Sequence, residues 1–447
     1  MKITSRTYEI PTMKTIFKKI IAYILRIESR LVIYKYKPKI LAITGSVGKT
    51  STKDAVYAIL SKVSYVRKSE KSYNSEIGLP LTILGVANGW NNPLVWLRNI
   101  VKGFWLFLIP HKYPEWLVLE VGVGKPDDMH HTASWLKTDA VIITAIGDTP
   151  AHIEFFSSRK TLIEEKSKLI KTLKRDGLLI LNVDDEDVRA MKNNSKHRTV
   201  TYGFKDGADI LGSSDNISYD DTGIPKGIIF RIDEGGNSFP VIIEGVFGRN
   251  HVYASLGALA LSLGLKLNML SAVNALKNYD VSPGRMRLLR GINNSLIIDD
   301  TYNSSPFACE SALKTLGAVE SNGRKIAILG DMLELGRHTE EAHRNIGKIA
   351  SENLSENTDV LIVVGPRAQA IKSGAIEAGM KEKNIFEFSN SHEVSVFIKT
   401  SIKNNDLILV KGSQGMRMER VVEAMILDQE NREKLLVRQD EEWKKKK

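Results

Sequence analysis

The residues best suited to bind a nucleotide phosphate lie together near the start of the chain. They form the run Thr44, Gly45, Ser46, Val47, Gly48, Lys49, Thr50 and Ser51. Glycines let the backbone turn its N–H groups toward phosphate oxygens, and a helix that follows adds the positive end of its dipole. At this spacing Lys49 is expected to reach the β- and γ-phosphates, and the Thr50 hydroxyl to ligate Mg²⁺. The run is shorter than the common phosphate-loop pattern, because Ile43 stands where that pattern has its first glycine.

The elements around this loop predict an α/β protein. An apolar run, KILAIT (39–44), precedes the loop and a helical pattern follows it, so the loop joins a strand to a helix. Further apolar runs alternate with helical patterns, which is typical of parallel sheets. These runs are 116–121, 140–146, 178–182, 296–299, 325–329, 360–364 and 407–410. The stretch 208–246, rich in Gly, Ser and Asp, is predicted to form a smaller antiparallel insertion, and a domain boundary is predicted near 281–284.

Composition and charge narrow the function classes. Of the 447 residues, 43% are hydrophobic and 26% are charged, which is typical of globular proteins. The one cysteine, Cys309, can form neither an intramolecular disulfide nor a cysteine-based zinc site, and it fits a reducing cytoplasm. Most of the net charge of +11 lies in residues 1–40, which hold ten Lys and Arg residues and two acids. Because positive and negative charges are nearly balanced in the rest of the chain, no nucleic-acid partner is expected.

Two segments combine apolar and basic side chains. In 14–34 a helical spacing links Ile16, Phe17, Ile20, Ile21, Ile24, Ile27 and Leu31, opposite a face rich in Lys and Arg. Segment 94–110 is apolar except for Arg98 and Lys102, and four of the six tryptophans lie between 90 and 116. Each segment has two interpretations, a helix packed on the body or a contact with an anionic membrane surface. No uncharged apolar run is long enough to predict a membrane-spanning helix.

From the phosphate loop onward the chain resembles the Mur ligases, the ATP-dependent amide-forming enzymes of cell-wall peptide synthesis. The similar segments follow in order at 44–51, 72–85, 115–129, 144–170, 178–188, 285–291, 297–316 and 328–344. The runs DDTYN (299–303) and LGDMLELG (329–336) are most similar to the branch that adds D-Ala-D-Ala to a muramoyl tripeptide. The resemblance implies a P-loop central domain (39–283) with a mainly parallel sheet and the antiparallel insertion. A Rossmann-like C-terminal α/β domain (284–428) is expected to follow. A basic arm (1–38) and a solvated, charged tail (429–447) flank them.

The resemblance also implies roles for single residues. Thr50, Glu120, His152 and Lys166 would hold two Mg²⁺ ions, with Lys166 converted by CO₂ to a carbamate. Glu120 also ends a predicted strand, where open α/β sheets bind ligands. Arg285 would reach the γ-phosphate, and Asp300 would hold the ribose or the domain interface. The remaining ATP contacts would come from the loop (45–51), Asn182 and His251. The acceptor would be bound by Asn74, Ser75, Tyr302 and Asn303, and catalysis is assigned to Lys49, Lys166, His152 and Arg285.

The expected reaction is ATP-dependent amide synthesis. ATP would phosphorylate a peptide carboxylate of a wall precursor, and an amino acid or a dipeptide such as D-Ala-D-Ala would attack the acyl phosphate. The expected location is the cytoplasm, with the inner face of the membrane as an alternative. The sequence does not indicate an oligomeric state.

Two features depart from the family pattern. Only 43 residues precede the loop, so no separate domain for a UDP-sugar is expected. Gly248, Arg249, Asn250 and His251 stand where the family has Gly-x-His-Asn, which leaves the adenine contact open. Other acceptors therefore stay open, including a lipid-linked, pseudomurein-type, polyamino-acid or folyl-glutamate-like one. The chain could also be the ligase subunit of an amidotransferase complex, a nucleotide-binding membrane scaffold or a basic nucleic-acid binder.

Overall fold

The computed structural model describes residues 13–69, 73–147, 153–277, 279–355 and 357–445. Within these residues the chain forms two α/β regions, each built on one sheet. The two sheets follow one another along the chain, as the alternation of apolar runs and helical patterns predicts.

The first sheet has nine strands in the order β2-β3-β1-β4-β5-β6-β7-β8-β9. Neighbours from β2 to β7 pair in parallel, and β7, β8 and β9 pair antiparallel. The strands are β1 Lys39–Thr44, β2 Val66–Lys68, β3 Trp116–Glu120, β4 Thr138–Ile143, β5 Leu173–Asn182, β6 Arg198–Gly203, β7 Ile210–Tyr219, β8 Pro225–Glu234 and β9 Asn237–Glu244. The predicted antiparallel insertion is thus confirmed, and it continues the parallel sheet as its edge.

Helices cover both faces of this sheet. They are α1 Met13–Tyr36, α2 Lys49–Leu60, α3 Gly78–Leu84, α4 Pro93–Leu108, α5 Asp128–Ala133, α6 Arg159–Ser167, α7 Glu186–Ala190, α8 Arg249–Gly264 and α9 Met269–Leu276. One core cluster joins α2 and α8 to one face, and another joins α1, α3 and α4 to the other. Strand β1 is therefore buried on both faces, which is why KILAIT is continuously apolar from Ile40 to Ile43.

The second sheet has the order β10-β11-β15-β12-β13-β14, with β10 antiparallel and the others parallel. Its strands are β10 Arg287–Arg290, β11 Leu296–Asp300, β12 Lys325–Gly330, β13 Val360–Val364, β14 Ile385–Phe388 and β15 Leu407–Lys411. Its helices are α10 Pro306–Ala318, α11 Thr339–Asn353, α12 Gln369–Glu377, α13 Ser391–Ser401, α14 Glu419–Glu423, α15 Arg432–Leu435 and α16 Glu441–Lys444. The predicted α/β class with two sheets is confirmed.

The two regions are tied together where the chain passes from one to the other. The Phe247 N–H donates to the Met286 carbonyl at 3.0 Å, and the Leu288 N–H donates to the Gly245 carbonyl at 2.9 Å. Asp54 of α2 accepts from the Ser282 hydroxyl at 2.5 Å. These contacts bring the segment around Arg285 against α2, the helix that follows the phosphate loop.

Helix α1 packs on the body through a stripe that differs from the predicted one. Ile21, Leu25 and Val32 are buried, whereas Phe17, Ile20, Ile27 and Leu31 of the predicted apolar face are exposed. The helix packs against α3 and α4. Of the described residues, no helix has the length and apolarity needed to cross a membrane.

The expectation of a solvated C-terminal tail is wrong for its middle part. Leu436, Val437 and Arg438 are buried. The Arg438 guanidinium donates to Glu419 at 2.9 Å and to the Thr301 carbonyl at 3.0 Å. The charge of the segment suggested solvation, but Arg438 has a partner of opposite charge inside the fold.

Candidate active site

The phosphate loop is held in shape by the end of β4. The N–H groups of Ser46 and Val47 donate to the Ala145 carbonyl at 2.7 and 3.2 Å. Gly45 has a φ of +148°, and a Cβ there would lie 1.9 Å from the Thr144 hydroxyl oxygen. Gly48, with a φ of +83°, caps the start of α2. Both positions therefore require glycine, and the loop faces the N-terminus of α2 as a phosphate cradle would.

Two lysines converge inside this loop. Lys49 Nζ donates to the carbonyls of Gly45 and Ser46 at 2.9 and 3.2 Å, and Lys166 Nζ donates to the Gly45 carbonyl at 3.1 Å. Lys166 is brought in by α6 and is 2% exposed. Burial lowers the pKa of Lys166 well below its usual value, and the Lys49 charge lowers it further. Burial lowers the pKa of Lys49 as well, although Glu120 opposes this effect.

Polar groups from α2 and from the loop before α3 surround Glu120. It is the last residue of β3 and is 1% exposed. Its carboxylate accepts from the Thr50 hydroxyl at 2.9 Å and from the Asn74 amide at 3.2 Å. Lys53 Nζ lies 3.9 Å from the same carboxylate. A buried carboxylate in contact with a hydroxyl is a pair of hard oxygen donors, so these two residues fit Mg²⁺.

In the described parts of the chain, no three His, Cys, Asp or Glu side chains are grouped to hold a metal ion. A divalent cation at Thr50 and Glu120 would therefore take further oxygens from phosphate or water, as Mg²⁺ commonly does. The predicted metal ligand His152 lies outside the described residues.

The second α/β region supplies Arg285 and Tyr302. Arg285 Nη2 donates to the Thr50 hydroxyl at 3.1 Å, and its guanidinium lies over the Tyr302 ring, 3.9 Å from the centroid. The buried Arg285 Nε has no hydrogen-bond partner. The arginine therefore crosses from the second region to the phosphate loop, where a guanidinium is suited to bind an anion.

Asp300 and Asn303 form hydrogen bonds within the second α/β region. Asp300 accepts from Lys411 Nζ at 2.5 Å and from the Met286 N–H at 3.3 Å. The Asn303 carbonyl accepts from the same lysine at 3.0 Å. These bonds connect Asp300 and Asn303 to Lys411, and Asp300 also to the backbone beside Arg285.

Two cavities meet the loop from different sides. The larger one, about 1410 Å³, is lined by Thr50, Ser75, Tyr302 and Arg438 and extends to Phe17 and Trp90. The smaller one, about 550 Å³, is lined by Val47, Gly48, Thr52, Asn182, Asn250 and Tyr253. Of the predicted contact residues, Thr50, Ser75 and Tyr302 line the larger cavity, and Val47, Gly48 and Asn182 line the smaller one. Of the others, those that the structure describes line neither of these two cavities.

His251 and Ser51 are two such residues. His251 is 1% exposed, and its ring nitrogens bond to the Arg285 carbonyl at 2.7 Å and the Tyr279 hydroxyl at 3.1 Å. The structure does not bring this side chain to the smaller cavity, where Asn250 lies instead. Burial also lowers the pKa of His251. Ser51 is buried in the first turn of α2, and its carbonyl accepts from Tyr279 at 2.8 Å.

Two protein-family models match this chain. The family model described as the Mur ligase middle domain matches residues 43–262, and that described as the Mur ligase glutamate ligase domain matches residues 284–414. The first match contains the phosphate loop and Glu120, and the second contains Arg285 and Tyr302.

The chain belongs to the Mur ligase family. Mur ligases are ATP-dependent ligases that use ATP and Mg²⁺, and this one is an enzyme of that class.

Two similar curated proteins carry the same name. The UDP-N-acetylmuramoyl-tripeptide--D-alanyl-D-alanine ligase of Bacillus subtilis is 28% identical over 87% of this chain and 76% of its own length. The enzyme of the same name from Escherichia coli is 26% identical over the same shares of both chains. The crystal structure of MurF ligase from Thermotoga maritima in complex with ADP has a TM-score of 0.72 at 24% identity, over 95% of this chain and 86% of that one. This last likeness shows a shared fold.

Three residues of the site in this Mur ligase were missed by sequence reasoning. Lys53 follows Lys49 by one helical turn, so its position beside Glu120 could have been inferred from the start of α2. Asn250 was noted only as part of a transposed motif. Arg438 had no local pattern, because its partners lie about 20 and 140 residues away in the chain.

Proposed function

We propose that this Mur ligase joins D-Ala-D-Ala to the peptide carboxylate of a muramoyl tripeptide. The relatives that bear this name support the choice of substrates. The observation that carries the proposal is the convergence of Lys49, Lys166, Glu120 and Arg285 around Thr50 and the loop. A reaction that moves a phosphoryl group needs this concentration of cationic and hard-oxygen groups.

We assign ATP to the smaller cavity and its phosphates to the loop. Asn182 and Asn250 line that cavity and offer amide donors and acceptors for a base or ribose. The backbone N–H groups at the start of α2 and Lys49 would bind the β- and γ-phosphates. Arg285 would contact the γ-phosphate, because its Nη2 already reaches Thr50. On nucleotide binding, Lys49 would exchange its two loop carbonyls for phosphate oxygens.

Thr50 and Glu120 would hold Mg²⁺, and His152 is proposed for a second ion. The bound cation neutralises charge on the phosphates during transfer. Asn74 orients the Glu120 carboxylate through the 3.2 Å bond to one of its oxygens. Lys53 balances the charge of the same carboxylate from 3.9 Å.

Lys166 is proposed to carry a carbamate. Desolvation and a neighbouring cation both favour the neutral form of a lysine, and a neutral amine is nucleophilic. Its Nζ would attack CO₂, one proton would leave to solvent, and a carbamate anion would result. The carbamate anion would then lie beside the Lys49 ammonium and attract it, whereas a protonated Lys166 would repel it. The carbamate could also hold Mg²⁺.

The acceptor is assigned to the larger cavity, where Ser75 and Tyr302 lie on the wall. Asn74, bonded to Glu120, and Asn303, bonded to Lys411, are proposed as further acceptor contacts. A carboxylate oxygen of the acceptor attacks the γ-phosphorus, and ADP leaves. The amine of the dipeptide then attacks the acyl carbon, phosphate leaves with the C–O bond electrons, and the amine loses a proton. Both steps depend on holding three reactants in line around Thr50.

We also propose a cytoplasmic location at the inner face of the membrane. The exposed apolar and basic side chains of α1 and α4 support contact with a membrane surface. We also propose a domain boundary at 283–284, in the segment between the two sheets.

The test is ADP release by the purified chain with Mg²⁺ and a muramoyl tripeptide, with and without D-Ala-D-Ala. Release is expected to need both substrates and to be lost in Lys49→Ala. Lys62→Ala, an exposed lysine after α2, serves as the matched control. ADP release that ignores D-Ala-D-Ala, or that survives in Lys49→Ala, would contradict the proposal. Release with a pseudomurein-type or polyamino-acid acceptor alone would keep the ligase class and replace the substrate.

A further inference from the structure

Helices α1 and α4 lie side by side as a pair. Gly103 of α4 leaves room for the Glu28 side chain of α1, because a Cβ there would lie 2.3 Å from its carboxylate oxygen. Near the C-terminal ends of both helices, Lys35 Nζ donates to the Phe107 carbonyl at 2.6 Å, and the Tyr36 hydroxyl donates to the Leu106 carbonyl at 2.8 Å. The N-terminal ends of both helices border the larger cavity. The two helices therefore run in the same direction.

The outer side of this pair is apolar. Its exposed members, which we call the helix-pair face, are Phe17, Ile20, Tyr23, Ile27, Leu31 and Tyr34 of α1 and Leu94, Leu97, Val101, Phe104, Trp105 and Leu108 of α4. These are 12 of the 25 exposed large hydrophobic residues in the described part of the chain. Such a concentration in two helices marks an interaction surface, since single exposed apolar residues are normally scattered.

The charges around the face are almost all positive. The segments 13–36 and 93–108 contain eight Lys and Arg residues and one acid, Glu28, which is buried. Lys19, Arg26 and Arg30 recur at helical spacing beside the apolar stripe of α1, and Arg98 and Lys102 do so on α4. An anionic bilayer complements both the apolar and the basic groups. A second copy packed on the same face would bring like charges together.

The larger cavity opens at this face. Phe17, Trp90 and Pro93 line its outer end, whereas Thr50, Ser282 and Tyr302 line its inner end. Phe17 belongs to the helix-pair face, and Pro93 precedes Leu94 of that face. One cavity therefore connects the exposed apolar surface to the phosphate loop.

We propose that the helix-pair face docks on an anionic membrane and that a lipid-linked acceptor peptide enters the larger cavity from that surface. The choice of acceptor rests on the ligase function proposed above. Aromatic side chains such as Trp105 and Tyr23 are suited to the interface between lipid and water. Docking would place the mouth of the cavity at the level of the lipid headgroups.

The first experiment is cosedimentation of the full chain with vesicles. Phosphatidylcholine vesicles are compared with vesicles that also contain about 30% phosphatidylglycerol. Binding to the anionic vesicles is expected to be at least about tenfold stronger and to weaken with salt. The triple variant Ile20→Ser, Leu97→Ser, Trp105→Ser is expected to lose that binding. The matched control, Leu270→Ser, Val396→Ser, Leu427→Ser, also removes exposed apolar side chains and is expected to bind normally.

The second experiment measures ADP release with the same peptide on a lipid carrier in the vesicles and on a soluble UDP carrier. Both triple variants are expected to turn over the soluble acceptor as wild type does. Only the helix-pair variant is expected to lose turnover of the lipid-linked acceptor, by about tenfold or more.

The outcomes separate the two proposals. Normal turnover of the soluble acceptor without vesicle binding would overturn docking and leave the ligase function intact. Vesicle binding with equal turnover of the lipid-linked acceptor by both triple variants would overturn entry from the membrane. A dimer that the helix-pair variant abolishes, together with no vesicle binding, would make the face a self-interface. Vesicle binding without ADP release from any acceptor would support docking and contradict the ligase function.

Discussion

Lys49 and Lys166 donate to the same oxygen, the Gly45 carbonyl, at 2.9 and 3.1 Å. Two ammonium groups this close repel one another, so at least one of them is favoured in its neutral form. Burial and the Lys49 charge both lower the pKa of Lys166 well below its usual value, so Lys166 loses its proton more readily than a free lysine does. This difference fits the proposed roles, in which Lys49 binds phosphate as a cation and Lys166 reacts with CO₂ as an amine.

The proposed carbamate predicts a dependence of turnover on CO₂. Lys166→Ala is expected to lower kcat by about 100-fold, because it removes the carbamate that is proposed to hold Mg²⁺ beside the transferring phosphate. Wild-type activity should fall in buffer freed of CO₂ and return when bicarbonate is added. Lys171→Ala, an exposed lysine nearby, should behave as wild type. A wild-type rate that is indifferent to bicarbonate would rule out the carbamate.

The contacts of Glu120 predict a change in Mg²⁺ requirement. Glu120→Gln keeps the side-chain shape but removes the charge, so the Mg²⁺ concentration for half-maximal ADP release should rise about tenfold or more. The measurement is a Mg²⁺ titration at saturating ATP. Glu115→Gln alters an exposed acid at the other end of the same strand and should leave the titration unchanged. An unaltered Mg²⁺ requirement in Glu120→Gln would place the ion elsewhere.

The parallel strands were the most predictable part of the fold. Continuous apolar runs identify strands buried on both faces, and the run 360–364 coincides with β13. Strand β6 was missed because its sequence, RTVTYG, is partly polar. Its Thr201 hydroxyl is satisfied by Asp209 at 2.6 Å, a contact that periodicity does not show. Strand β2 was missed because three residues carry too little pattern.

The site was predictable where local sequence determines it. The loop, Thr50 and the strand-end Glu120 follow from a strand, a turn and a helix in order. Arg285 and Lys166 came from the family resemblance, since nothing near them indicates that they approach Thr50 or Gly45. Helix α8 begins at Arg249, so consecutive residues Asn250 and His251 point about 100° apart. That rotation places Asn250 at the cavity and His251 inside the fold.

The buried Arg438 predicts that the C-terminal segment supports the acceptor cavity. Arg438 pairs with the buried Glu419 and donates to the Thr301 carbonyl beside Tyr302. Arg438→Ala should cost about 3 kcal/mol of unfolding free energy, because Glu419 loses one of its two arginine partners. It should also raise the acceptor KM while leaving the ATP KM near its wild-type value.

Denaturant unfolding and steady-state kinetics check these two effects. Arg432→Ala is the control, since Arg432 is exposed and its ion pair with Glu423 spans 3.6 Å. An equal rise in both KM values would indicate general distortion and contradict a local role at the acceptor cavity.

The buried Glu28 predicts a pH-dependent stability of the pair formed by α1 and α4. Burial raises the pKa of Glu28 from 4.5 to about 7, and its Oε2 has no hydrogen-bond partner. Between these pH values the unfolded chain has released the proton and the folded chain still holds it. Stability therefore falls as pH rises through this window, and the penalty is complete above about pH 7.

Glu28→Gln removes that penalty because the amide is neutral at every pH. The variant should match wild type near pH 4.5 and be more stable by about 2 kcal/mol near pH 8.5. Thermal unfolding at both pH values measures the difference. Glu76→Gln, an exposed acid before α3, should show no such pH dependence. A gain that is the same at both pH values would mean that packing, and not the ionisation of Glu28, sets the stability of this helix pair.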